Sequence, residues 1–353
     1  MTAPVDPAVI EGIARDSGAF LQQLDTIQRR ALFIRLNEAD LRAASFLDER
    51  LGLQGREGFW VALETLKAVA AAMPTPSPAP HYIFHIGHCG STLISRLLDK
   101  YPGVLGLREP LALRELAAAH RELESPLSRV SGEEWSALFA ASISVLGRIF
   151  APGQRALIKA TSNCNNLINS VLEHDPATRV VLLHMPLESY LATMMKGQGG
   201  GLDALQSAPA RLQFLHHLIG EESPRLHELE PAEMVAMGWI SELARFHQAQ
   251  AADAGKGRVM LLDFEQWLTH PDQLLESVRM HLGLGAGNAD GVPVMQWPEM
   301  RAYAKSPAHA YSPADRVHDL DLSRRKFANE IATGMRFAER LATSHPQLKS
   351  IFQ

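Results

Sequence analysis

Five short apolar runs recur between residues 82 and 263, and most are followed by a stretch with helical spacing. They cover 82–86, 104–107, 155–159, 179–184 and 258–263, are rich in aliphatic and β-branched residues, and do not alternate strictly with polar positions. A continuous apolar strand is one covered on both faces, so such runs between helix-length segments predict βαβ units and a parallel sheet. The crossovers are expected to be right-handed. Helices are predicted over 111–122, 133–150, 186–196, most of 203–252, 272–282 and 323–342, the last N-capped by Ser323, with 165–174 also of helix length. Gly197, Gly199, Gly200 and Gly201 are expected to stop the helix begun at Pro186 and form a mobile loop, which makes 197–209 irregular. The Pro- and Gly-rich segment 285–322 is expected to be mostly irregular too.

Residues 1–72 show helical spacing and no strand pattern. Leu32, Phe33, Leu36, Leu41 and Phe46 form one stripe, and Trp60, Leu63, Leu66 and Val69 another, so an all-helical N-terminal segment is predicted. Prolines 74, 76, 78 and 80 then make 73–80 a stiff, extended linker ahead of a domain spanning 81–353. The fold class is α/β: a three-layer domain with a central, mostly parallel sheet of about five strands, preceded by helices.

Composition narrows the partners. A chain of 353 residues with 46% hydrophobic and 21% charged residues can bury a large core, and its net charge of −5 argues against nucleic acid or an anionic membrane surface as partner. An anionic small molecule would have to be gripped locally. Two cysteines, Cys89 and Cys164, are too few for a disulfide scaffold, and the first residues lack a basic start and apolar stretch, so a cytoplasmic location is expected. The most apolar long window, 137–151, is interrupted by serines, a glycine and an arginine and is too short to span a bilayer. Oligomeric state is not legible.

The chemistry concentrates after the first run. Gly87, His88, Cys89, Gly90, Ser91 and Thr92 bring two glycines and two hydroxyls between a strand and an apolar helical pattern. A helix N-terminus with exposed amides and small residues is a ready anion cradle. The residue before Ser91 is glycine, so the lysine of an ATP-type loop is missing. Because ligands of open parallel sheets lie beyond the carboxyl ends of the strands, Glu109, Lys159, His184 and Asp263 are expected around the same crevice.

HCGST, Asp99 to Val104 as D-x-x-P-x-V, Glu109-Pro110, the lysine-bearing run RALIK and VMLLDFEQWLTHPDQLLESVRMHLGL occur in the order found in the sulfotransferase superfamily within the P-loop fold. The chain resembles that superfamily over roughly residues 81–285; its helical front, FLDER and Pro-rich linker are similar to a bacterial subgroup of sulfotransferase-like proteins. The resemblance implies transfer of a sulfuryl group from 3′-phosphoadenosine 5′-phosphosulfate (PAPS), a co-substrate, to a hydroxyl or amine of a small-molecule acceptor, with no metal. It implies that residues 87–92 hold the 5′-phosphosulfate, that His184 and Thr193 stand at the 3′-phosphate, and that Glu109 as base, Lys159 and His88 carry the chemistry. His88 and His184 stand where the family has cations, so affinity for the donor is expected to rise as pH falls through about 6.5. Cys89, at a helix start, is either a reactive thiolate or a small loop filler, the latter favoured. Two other functions stay open: a non-catalytic nucleotide-binding P-loop protein, and a phosphotransferase in which Asp263 would orient Mg²⁺.

Overall fold

A computed structural model describes residues 6–74, 78–285 and 291–352. The N-terminal part departs from the helical expectation. Strands β1 (Ala19–Asp25), β2 (Arg30–Arg35) and β3 (Gly58–Ala62) form an antiparallel sheet in the order β1-β2-β3, flanked by helices Pro7–Arg15, Glu38–Ala43 and Leu63–Ala71. Ala31 to Ile34 are all buried, so β2 lacks alternation, and a short run covered on both faces reads the same in helix and strand. The deciding signal is at the turn, where the Asp25 carboxylate accepts the amides of Ile27 and Gln28 and Arg29 takes a left-handed φ of 53°. Of the second stripe, Leu63, Leu66 and Val69 are helical and buried, while Trp60 lies on β3 under the Arg30 guanidinium.

The predicted parallel sheet is present: β4 (His81–His85), β5 (Val104–Arg108), β6 (Arg155–Lys159), β7 (Val180–His184) and β8 (Val259–Asp263) lie in the order β5-β6-β4-β7-β8. All pairings are parallel, with Ile83 beside Lys159 and Val181, and Val180 beside Val259. β4 and β5 are buried along their whole length, as continuous apolar runs require. Arg108, fully buried at the end of β5, ties the N-terminal part to the sheet: it donates to the carbonyls of Leu41, Arg42 and Ala44 and pairs with Asp99 at 3.2 Å.

Three further expectations are corrected. The glycines at 199–201 form the first turn of a helix, Gln198–Ile219, instead of a loop. A Cβ on Gly200 would stand 2.5 Å from the Met194 carbonyl oxygen, so the missing side chain permits close packing, and here that outweighs glycine's poor helix propensity. Within 285–322 the described residues form strands β9 (Ala302–Tyr303) and β10 (Ser306–Ala310), then helix Pro313–Lys326, capped by a Ser312–Asp315 box that was readable as S-x-x-D. Ser323 is therefore not an N-cap but a buried mid-helix residue whose hydroxyl donates to the Ala192 carbonyl at 2.6 Å; the next helix is Ala328–Ser344. Part of the proline linker lies outside the described residues.

Candidate functional site

Helix Ser91–Leu98 begins directly after the loop that leaves β4. Gly87, His88 and Gly90 have φ of +90°, +50° and +79°, a left-handed path that costs glycine little but strains His88. Gly90 is required twice over: its φ is positive, and a Cβ there would lie 2.1 Å from the Phe264 ring. The loop is fastened from below. His85 is buried and its Nδ1 accepts the Gly87 amide at 3.0 Å, while Asn165 links the His85 carbonyl to Glu242, itself paired with the buried Arg211. The Cys89 side chain turns into the core and its Sγ donates to the Leu183 carbonyl; burial pushes the thiol up to about 12, so it is a filler and not a reactive thiolate.

Above the loop lies a cavity of about 330 Å³. Its walls bring together His88, Gly90, Ser91, Thr92, Glu109, Lys159 and Thr193 from the sequence-predicted set. Lys159 ends β6 with only 1% of its side chain exposed, and Glu109, at φ +58°, accepts from both Lys159 Nζ and Arg50. Burial pushes the Glu109 carboxyl up, but the two cations outweigh it and hold it below the usual carboxylate range. Thr193 sits on the wall with its hydroxyl donating to the Ser189 carbonyl.

His184 is not on this wall. It ends β7 beside Asp263, Nδ1 to Oδ2 3.9 Å, and burial lowers its pKa. His88 stands 3.7 Å from Asp203, and burial, with Lys305 nearby, lowers its pKa to about 4. The expectation of a titration near 6.5 is therefore corrected: desolvation keeps this imidazole neutral well below that pH. Asp263 is committed as N-cap of helix Phe264–Thr269, accepting the amides of Glu265 and Gln266. That leaves it less available to a metal-orienting role.

Four cations missed by sequence reasoning complete the site. Lys305, on the β9–β10 turn, Lys196 and Arg316 line the cavity, and Arg50 reaches Glu109. Lys196 lies 2.8 Å from Asp319 and Arg316 3.1 Å from Glu265, whereas Lys305 has no carboxylate within 4.0 Å among the described residues. Only Arg316 carried a sequence signal, since it follows the capping box. The Tyr303 and Tyr311 rings meet edge to face at 5.6 Å beside these cations, and Trp297 is buried against Tyr101.

No family model matches the chain, and no curated protein does. Among solved structures, it is similar to a sulfotransferase domain of the curacin biosynthetic pathway, at 12% identity over 76% of this chain and 99% of that one, TM-score 0.38. A sulfotransferase from Alicyclobacillus acidocaldarius gives 13% identity, 75% and 96% coverage and a TM-score of 0.35; one from Mycobacterium tuberculosis gives 16%, 75% and 84%, and 0.38. Likeness this loose leaves the chemistry to the side chains. No helix among the described residues is long and apolar enough to cross a membrane.

Proposed function

We propose that the chain transfers a sulfuryl group from PAPS to a hydroxyl or amine of a small-molecule acceptor. One observation carries this reading: a left-handed glycine loop, rigidly held, opens a helix N-terminus into a cavity walled by Lys159, Lys305, Lys196 and Arg316, without a loop lysine. PAPS supplies an activated sulfuryl group on a bisphosphate leaving group. The residues fit such a dianionic pair: amides of 89–92 with the Ser91 and Thr92 hydroxyls take the 5′-phosphosulfate, and cations the sequence did not reveal stand in for those missing at His88 and His184. Glu109 takes the proton from the acceptor oxygen or nitrogen as that atom bonds to sulfur and the sulfur–oxygen bond to the phosphate breaks. An anion that draws Lys159 away from Glu109 also raises the carboxylate's basicity, so donor binding and base activation are linked. An anion beside His88 likewise favours its protonated form.

The deciding experiment is a thermal shift with adenosine 3′,5′-bisphosphate and, separately, ATP with Mg²⁺. Stabilisation by the bisphosphate is expected. Stabilisation by ATP with Mg²⁺ alone, abolished by Lys305→Ala in the cavity wall, would move the protein to phosphoryl transfer, and by neither would overturn a donor site. Sulfate incorporation across small alcohols, phenols and amines then defines the acceptor.

A further inference from the structure

The opposite end of the sheet carries a second cavity, of about 760 Å³. β6 begins with Arg155, and β7 and β8 are each preceded by an arginine, Arg179 and Arg258. Parallel pairing of Val180 with Val259 sets Arg179 and Arg258 side by side, and Lys256 joins them on the wall. Arg258 is matched by Asp253 at 2.8 Å. Arg155, Arg179 and Lys256 have no carboxylate within 4.0 Å among the described residues, and Glu173 is the lone acidic residue on the wall. Their hydrogen bonds go to neutral carbonyls, Arg155 to Ala79 and Arg179 to Met280 and His281, which orient the guanidiniums without cancelling charge.

The like charges are felt locally. Burial lowers the Arg155 pKa, Asp175 opposes that, and Arg179 adds to it. His81, buried beneath them with Nδ1 accepting the Arg179 amide, is held neutral, its pKa brought to about 3 by burial and by both arginines. Three unmatched cations, two of them oriented guanidiniums, around a nucleotide-sized hollow are a charge pattern that an anion completes.

We propose that this amino-terminal edge is a second binding site, for a freely diffusing phosphate ester of nucleotide size, separate from the loop cavity. Its phosphates lie among Arg155, Arg179 and Lys256. The site stands whether or not the loop cavity binds PAPS.

Calorimetric titration of the full chain with ATP in EDTA tests it, with Lys256→Glu, Arg179→Gln and, at the other cavity, Lys305→Ala as variants. Lys256 is exposed, so its variant keeps the fold, and circular dichroism checks Arg179→Gln. The expected result is ATP binding that weakens about tenfold or more in both edge variants and persists in Lys305→Ala. No ATP binding, unchanged affinity in Lys256→Glu, or binding lost only in Lys305→Ala would each overturn the proposal. Failure of the bisphosphate to bind at the loop would count against sulfuryl transfer alone.

Discussion

The two ends of the same five strands hold charge in opposite conditions. At the carboxyl ends most cations are matched: Lys159 and Arg50 share Glu109, Lys196 faces Asp319 and Arg316 faces Glu265. At the amino ends Arg155, Arg179 and Lys256 lack carboxylate partners among the described residues. Counting charges would rank the amino end as the stronger anion site. Arrangement says otherwise for chemistry, because matched cations are held in place before a ligand arrives and loop amides add directional donors. The unmatched edge attracts, but has no comparable cradle.

Gly90→Ala should separate the two ends most sharply. A positive φ costs a side chain about 1–2 kcal/mol, and overlap with the Phe264 ring about 1–3 more, so unfolding stability should fall by roughly 2–5 kcal/mol. Bisphosphate binding at the loop should disappear while ATP still binds the opposite edge. Urea denaturation and titration measure both, and retention of loop binding within twofold would mean that the close approach to Phe264 is dispensable.

Glu109→Gln comes next. It leaves the buried Lys159 ammonium without its carboxylate, which should cost about 3 kcal/mol, and should reduce transfer by about a hundredfold. The acid limb carries a further sign. The folded Glu109 pKa lies below its unfolded value near 4.3, so its stabilisation is complete above that pH and is lost as pH falls through the depressed folded value. A stability–pH profile of the variant should lack that component. If the variant matches the parent in both rate and acid limb, Glu109 is neither base nor clamp.

A smaller effect is expected at His88. Its folded pKa of about 4 lies below the unfolded value near 6.5, so the folded state is penalised as pH falls from about 6.5 towards 4, and no penalty exists above that window. His88→Asn should flatten this part of the profile. An unchanged slope would show that the imidazole charges normally. The smallest difference to measure is ionic: raising salt from 50 to 200 mM should weaken ATP at the exposed edge more than bisphosphate in the loop cavity, since screening acts most on exposed charges. Equal salt dependence would erase the contrast between the ends.

What was legible in the sequence was local. Each parallel strand is short and apolar at its centre, so a place in a covered sheet was written into its composition, and Gly87 to Thr92 declared a strand–loop–helix turn by its small residues. The N-terminal sheet was not legible, because Ala31 to Ile34 are apolar on both faces and register comes only from pairing with β1 and β3. Nor were Lys305, Lys196 and Arg50, which are ordinary surface-type residues until a hairpin and a helix end bring the two lysines to one cavity and a distant N-terminal turn brings Arg50 to Glu109 on its wall. Residue type determined the small-residue strand–loop–helix turn at Gly87 to Thr92. Tertiary structure alone decided which cations surround it, because electrostatic partnership depends on separation in space, and positions as far apart in the chain as 50, 159 and 305 become neighbours only when the sheet and its flanking elements pack.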